Sequence, residues 1–207
     1  MNHLHRAASE SDSIESFADL YLQRLQTIIR SLDFSKLSAF EEELESARIA
    51  GNTVFVAGNG GSATTASSMA NDLGFDVLKK TGVSDTFRIM ALTDNLAAIT
   101  AVSNDVGYDR VFVDQMRIHF KDGDKLIVIS ASGNSPNVVA AAEWALKKGA
   151  TVIALVGFEG GRLSEIADIV LHFKAEQGEY GPVEDAHLVI NHILAHWFQY
   201  RIKDKNG

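Results

Sequence analysis

The sequence predicts an α/β protein: a three-layer, doubly wound sandwich around a parallel five-stranded sheet, with extra helices at its N-terminus. Three observations predict it. Five short apolar runs, "TVFVAG" (53–58), "FRIMAL" (87–92), "KLIVIS" (125–130), "TVIALVG" (151–157) and "DIVLHF" (168–173), read as strands buried on both faces. Helical segments separate them at about 62–74, 95–104, 109–120, 135–148 and 160–167. The junction "LKKGATVIALVG" joins the two patterns: Lys147 and Lys148 suit a helix C-terminus, Gly149 can take the left-handed cap, and a strand starts at once.

Taken in order, residues 1–11 are polar and are expected to be a flexible terminus, leaving 12–207 as a single domain. Phe17, Leu20, Tyr21, Leu25, Ile28 and Leu32 recur at helical spacing, which predicts a helix over about 13–32. Leu37, Phe40, Leu44 and Ala47 predict a second over about 34–50. The strand–helix alternation follows, and a final helix is expected over about 182–202. There is no internal repeat, low-complexity segment or interdomain linker.

The chain has 207 residues, 19 basic against 27 acidic, and a net charge of −8, which argues against broad electrostatic binding to nucleic acid or membrane surfaces. It has no cysteine, which excludes disulfides and thiolate metal sites and points to a reducing, cytoplasmic setting. The N-terminus lacks an apolar signal-peptide core, and no apolar run approaches the ~18 residues of a membrane span.

Ligands of such folds bind beyond the carboxyl ends of the strands, and two strand ends are chemically distinctive. After the first strand comes Gly58-Asn59-Gly60-Gly61-Ser62, where glycines allow close backbone approach and Ser62 stands at an expected helix N-cap. The helix after it carries Thr65, Ser68 and Asp72 on one polar face. After the third strand comes "SASGNSPN", with Ser130, Ser132 and Ser135 close together and Pro136 suited to the first helical turn. Neither loop matches G-x-x-x-x-G-K-[ST], and the loose G-x-G-x-x-[GA] match at Gly58, Gly60 and Ala63 lacks its acidic partner at the right spacing. Hydroxyls and amides without a local cation suit the phosphate of a small phosphorylated molecule better than a dinucleotide.

The stretches "GNGGS" (58–62), "ISASGNSPNV" (129–138) and "ALVGFEGGRLSEIADIVL" (154–171) resemble the sugar isomerase (SIS) domain family. With "LTDNLAAITAVSNDVGYDRVF" (92–112) and "VEDAHLVINHIL" (183–194), the chain is similar to that family's bacterial phosphoheptose isomerases over residues 15–203. The resemblance implies a flavodoxin-like subunit in a homotetramer with active sites at subunit interfaces. It implies conversion of sedoheptulose 7-phosphate to a heptose 7-phosphate aldose for surface-glycan precursors. It also implies that Ser62, Ser130, Ser132 and Ser135 hold the phosphate and that Asn59, Asp94 and Asn104 contact sugar hydroxyls, with Gly60 and Gly61 among the substrate-binding residues. Ala131 stands where the family usually carries threonine, so one phosphate hydroxyl is missing.

Aldose–ketose isomerisation needs a base at the carbon next to a carbonyl and an acid for the enediol oxygens. The resemblance assigns these roles to Asp72, which replaces the usual glutamate, and to His192. Some relatives bind zinc at positions that match Ser68, Asp72, Glu184 and His192 here. Serine is a poor zinc ligand, so Asp72, Glu184 and His192 are the remaining metal candidates, and Glu184 is otherwise a substrate-binding candidate. No other cofactor is expected. The alternative is a non-catalytic tetramer of the same fold that binds a protein partner or senses a phosphosugar.

Overall fold

The computed structural model describes the backbone of residues 2–206 and the side chains of residues 2–203. Its order is α1 (His3–Glu10), α2 (Ile14–Arg30), α3 (Phe34–Ala50), β1 (Thr53–Gly58), α4 (Gly61–Met69), a π-helical turn (Ala70–Asp76), α5 (Val77–Thr81), β2 (Arg88–Ala91) and α6 (Leu96–Asp105). It continues through a 3-10 turn (Tyr108–Arg110), α7 (Val113–His119), β3 (Lys125–Ser130), α8 (Pro136–Lys147), β4 (Thr151–Gly157), α9 (Gly161–Ile166), β5 (Ile169–Phe173) and α10 (Tyr180–Asn206).

All five strands are parallel in the order β2-β1-β3-β4-β5, as the strand–helix alternation predicts. Successive side chains of a strand point to opposite faces, so an all-apolar strand feeds two cores. Val54, Val56, Ile127, Ile129, Ile153 and Leu155 pack in one core with Phe40 and Leu44 of α3, Met69 of α4 and Ile190 of α10. Phe55, Leu126, Val128, Val152 and Ala154 pack in the other with Met116 of α7 and Ala141 of α8.

Residues 2–11 differ from the expected loose terminus, Met1 lying outside the described residues. Asn2 caps α1 by accepting from the His5 amide at 3.1 Å, and Arg6 holds Glu176 with bonds of 3.2 and 2.5 Å. Asn2 also donates to the Gln177 carbonyl. A polar eight-residue helix is unstable alone; here the loop before α10 supplies its partners, which local sequence does not disclose.

The helix expected to end at 74 runs on to Thr81, with the π-helical turn in its middle. α4 and α10 pack side by side. Gly61 lies against Glu184 at one end, and Asp72 meets Asn191 at the other.

Candidate functional site

The sheet order changes winding direction between β1 and β3, the place where such sheets bind ligands. Gly58 pairs with Ile129, so the two candidate loops leave the sheet side by side. Between them lies a cavity of about 140 Å³ lined by Asn59, Ser62, Ser130, Ser132, Ser135 and Glu184, with Ile129, Ala131 and Tyr180. No lysine, arginine or histidine is among these lining residues.

Each loop turns its hydroxyls toward this cavity for a local reason. Gly60 takes φ 54°, favourable for glycine, and acts as the N-cap of α4 without a side-chain bond. The expected N-cap role of Ser62 is therefore corrected: the helix begins one residue before it, and its hydroxyl is not engaged as the cap. Ser135 is the N-cap residue of α8, but its hydroxyl makes no cap bond and lies 3.3 Å from the Ser130 hydroxyl. Ser130 and Ser132 accept from the Gly133 and Asn134 amides at 3.2 Å each, which tightens the turn.

Asn59 and Asn137 exchange amide hydrogen bonds of 2.9 Å and so tie the first loop to the second. The Tyr108 hydroxyl donates to Asn59 Oδ1 at 2.9 Å. Glu184 reaches the pocket from α10. A Cβ added at Gly61 would lie 2.2 Å from its Oε2, so only glycine there lets the carboxylate come this close. Burial, then the neighbouring Asp185, raises the Glu184 pKa above its ordinary value.

The second cluster lies in the π-helical turn that follows α4 and further along α10. Asp72 Oδ2 is 3.7 Å from His192 Nε2, beyond hydrogen-bond length but close enough for both to face one small group. Asn191 donates to the same Asp72 oxygen at 2.6 Å, and Asn71 donates to the other at 2.9 Å. The His192 side chain is 56% exposed and Asp72 19%, so the pair is accessible from outside.

Asp94 and Asn104 do not join the pocket lining. Asp94 is exposed and accepts from the Ser67 and Thr93 hydroxyls. Asn104 is exposed on α6 and donates to Asp105 at 2.6 Å. Thr65 is buried and bonds back to the Gly61 carbonyl, so its hydroxyl is used within its own helix.

The expected zinc set does not assemble within the chain. Among the described residues no three His, Cys, Asp or Glu side chains converge on a metal position. Glu184 sits against Gly61, whereas Asp72 is eleven residues further along its helix, about 16 Å at the α-helical rise. With Ser68 at the remaining position, the donors present do not fit zinc.

Sequence reasoning missed Asn137, Tyr108, Tyr180 and Asn191. Asn137 belongs to the quoted loop, but its partner is 78 residues away and unreadable locally. Asn191 does leave a trace: it places an amide among the mostly apolar buried positions of α10, directly before His192.

No helix of the described residues is long and apolar enough to cross a membrane. The SIS domain profile matches residues 6–157, which include both loops and Asp72 but stop before α10. The phosphoheptose isomerase of Rhodospirillum rubrum is 39% identical over 145 residues, 70% of this chain and 74% of its own. The solved phosphoheptose isomerase from Neisseria gonorrhoeae is 27% identical with TM-score 0.75, covering 94% of this chain and 97% of the other. That from Francisella tularensis gives TM-score 0.76 at the same identity and coverage. On this match across its phosphate-type loops and its five-stranded sheet, the chain belongs to the SIS domain family and is similar to the phosphoheptose isomerases within it.

Proposed function

We propose that the protein is an aldose–ketose isomerase that converts sedoheptulose 7-phosphate to D-glycero-D-manno-heptose 7-phosphate through an enediol. The observation that carries this reading is the cation-free, hydroxyl-lined pocket at the β1/β3 switch, where Ser62, Ser130, Ser132 and Ser135 converge. Relatives named phosphoheptose isomerases support the substrate.

In this reading the phosphate sits among the serines and the N-terminal amides of α4, where the helix dipole favours an anion. Asp72 takes a proton from C1 of the open-chain ketose while His192 gives one to the C2 oxygen, producing a neutral enediol. His192 then removes the proton from the C1 oxygen, and Asp72 returns its proton to C2. The aldehyde forms at C1, no net proton is consumed, and the phosphate ester is untouched.

Ser62 and Asp72 are ten residues apart on continuous helix, about 15 Å, a long span for one sugar phosphate. The complete site accordingly combines the serine pocket of one copy with the Asp72–His192 pair of another, in a homotetramer. Exposed apolar groups support self-association. α6 has no buried residue, Leu96 is 73% exposed, and Ile193 and Trp197, one turn apart on α10, are 43% and 47% exposed.

Incubation with sedoheptulose 7-phosphate should yield the aldose, and Asp72→Asn or His192→Ala should lower the rate of conversion by about 10² to 10⁴. Full activity in both variants would remove these roles. A non-catalytic protein-binding or phosphosugar-sensing tetramer is favoured by one feature, Ser68 one turn before Asp72. Tight phosphosugar binding without turnover of any ketose phosphate would select that reading instead.

A further inference from the structure

We propose that Asn191 is a positioning residue for Asp72, an amide tether that fixes the short carboxylate toward α10 beside His192. The role of Asp72 in this inference rests on the isomerase reading; the contact itself does not.

Asn191 is fully buried on α10, between Ile190 and Leu194 of the core in the chain. Its Nδ2 donates to Asp72 Oδ2 at 2.6 Å, and that oxygen is the one facing His192. Its Oδ1 is buried with no hydrogen-bond partner among the described residues. An amide with an orphaned acceptor destabilises a core that a leucine would pack without penalty. Among the described residues, the one hydrogen bond this side-chain amide makes is to the candidate base.

The need for a tether follows from local geometry. Asp72 lies in the π-helical turn Ala70–Asp76, so regular α-helical geometry does not set its direction; such turns recur at functional sites. The carboxylate is also one methylene shorter than a glutamate. With Asn191 on one oxygen and Asn71 on the other, the short side chain keeps little freedom. Each member of the pair follows an asparagine in the chain, Asn71-Asp72 and Asn191-His192, and both amides serve the same carboxylate.

The test is a pair of double-mutant cycles on the full-length protein. Asn191→Leu should lower kcat on sedoheptulose 7-phosphate about 10- to 100-fold, with KM changed by less than about twofold. Asp72→Glu alone should also lower kcat, because its extra methylene drives the carboxylate into Asn191. In the double variant the longer carboxylate no longer needs a tether, and kcat should exceed the product of the two single effects by at least about tenfold. A kcat within about twofold of wild type for Asn191→Leu, or strictly multiplicative losses, would overturn the proposal. Asn191→Val replaces the leucine variant if that fails to fold.

The second cycle uses urea unfolding of Asn191→Leu, Asp72→Ala and their combination, with no substrate present. Non-additivity of about fivefold or more in the unfolding constant is expected, and additivity would overturn the tether. A wild-type protein without isomerase turnover would remove the functional reading, and the unfolding cycle would still decide whether Asn191 holds Asp72.

Discussion

The serine pocket and the Asp72–His192 pair are built in opposite ways. The pocket is made of loops: each hydroxyl is placed by a tight turn within a few residues of a strand end, and Gly58 beside Ile129 brings the two turns together. The pair is made of helix faces whose members are 120 residues apart in the chain, joined by the packing of the π-helical turn after α4 against α10. Turn chemistry is local and tolerates change one group at a time, whereas a pair fixed by tertiary packing fails when either side moves. Damage to the pocket should therefore be graded and damage to the pair abrupt.

The largest effect tests the abrupt side. Asp72→Asn and His192→Ala should each lower kcat by about 10² to 10⁴ with modest change in KM, as loss of a positioned acid or base does. Initial rates against substrate concentration check it, and a loss carried mainly by KM would assign the pair to binding.

Next is the anchor of α10. Arg24 of α2 holds Glu179, just before that helix, through bonds of 3.0 and 2.5 Å, and the Glu179 side chain is fully buried. Arg24→Ala leaves a buried carboxylate unpaired and should cost about 3–5 kcal/mol in urea unfolding. A loss near zero would show that α10 is held by apolar packing alone.

His187 lies on α10 between Glu184 and Asn191, fully buried with its ring edge-on to Phe173 at 5.0 Å. Burial lowers its pKa from 6.5 to about 3, against a smaller opposing pull from the Val156 backbone. Because the unfolded chain takes up this proton near pH 6.5 and the folded one does not, the contribution is fully present above that pH. It declines by about 1.4 kcal/mol per unit as pH falls toward 3. His187→Phe should flatten that slope, and an unchanged slope between pH 6 and 4 would assign the acid sensitivity to other groups.

Smaller effects test the graded side. Glu184 places a carboxylate in a pocket without a lining cation, so Glu184→Gln should tighten phosphosugar binding about tenfold by removing a like charge. Calorimetry checks this, and weaker binding would mean that the carboxylate grips a sugar hydroxyl. Ser135→Ala should weaken binding by only about 0.5–1.5 kcal/mol, one hydrogen bond among several. A total loss would contradict the shared-hydroxyl arrangement.

The same contrast explains what was legible beforehand. β3 and β4 appear at their expected bounds, 125–130 and 151–157, because uninterrupted apolar runs between turn signals have few other ways to bury themselves. The loop serines were readable for a similar reason, since a turn's composition reports its own geometry. Ser62 was misplaced as an N-cap because Gly60 takes a positive φ that lets α4 begin early.

By itself, the sequence determined the parallel sandwich, the two hydroxyl-bearing loops and the residue types available for acid–base chemistry. These follow from hydrophobic period and turn preference, which act over a few residues. Tertiary structure alone decided that α1 docks through Arg6 on Glu176, and that Glu184 joins the serines while Asp72 and His192 stand apart. It also decided that Asp72 lies in a π turn and accepts a hydrogen bond from Asn191. Those outcomes depend on which helix faces meet, a long-range packing choice that no local pattern encodes.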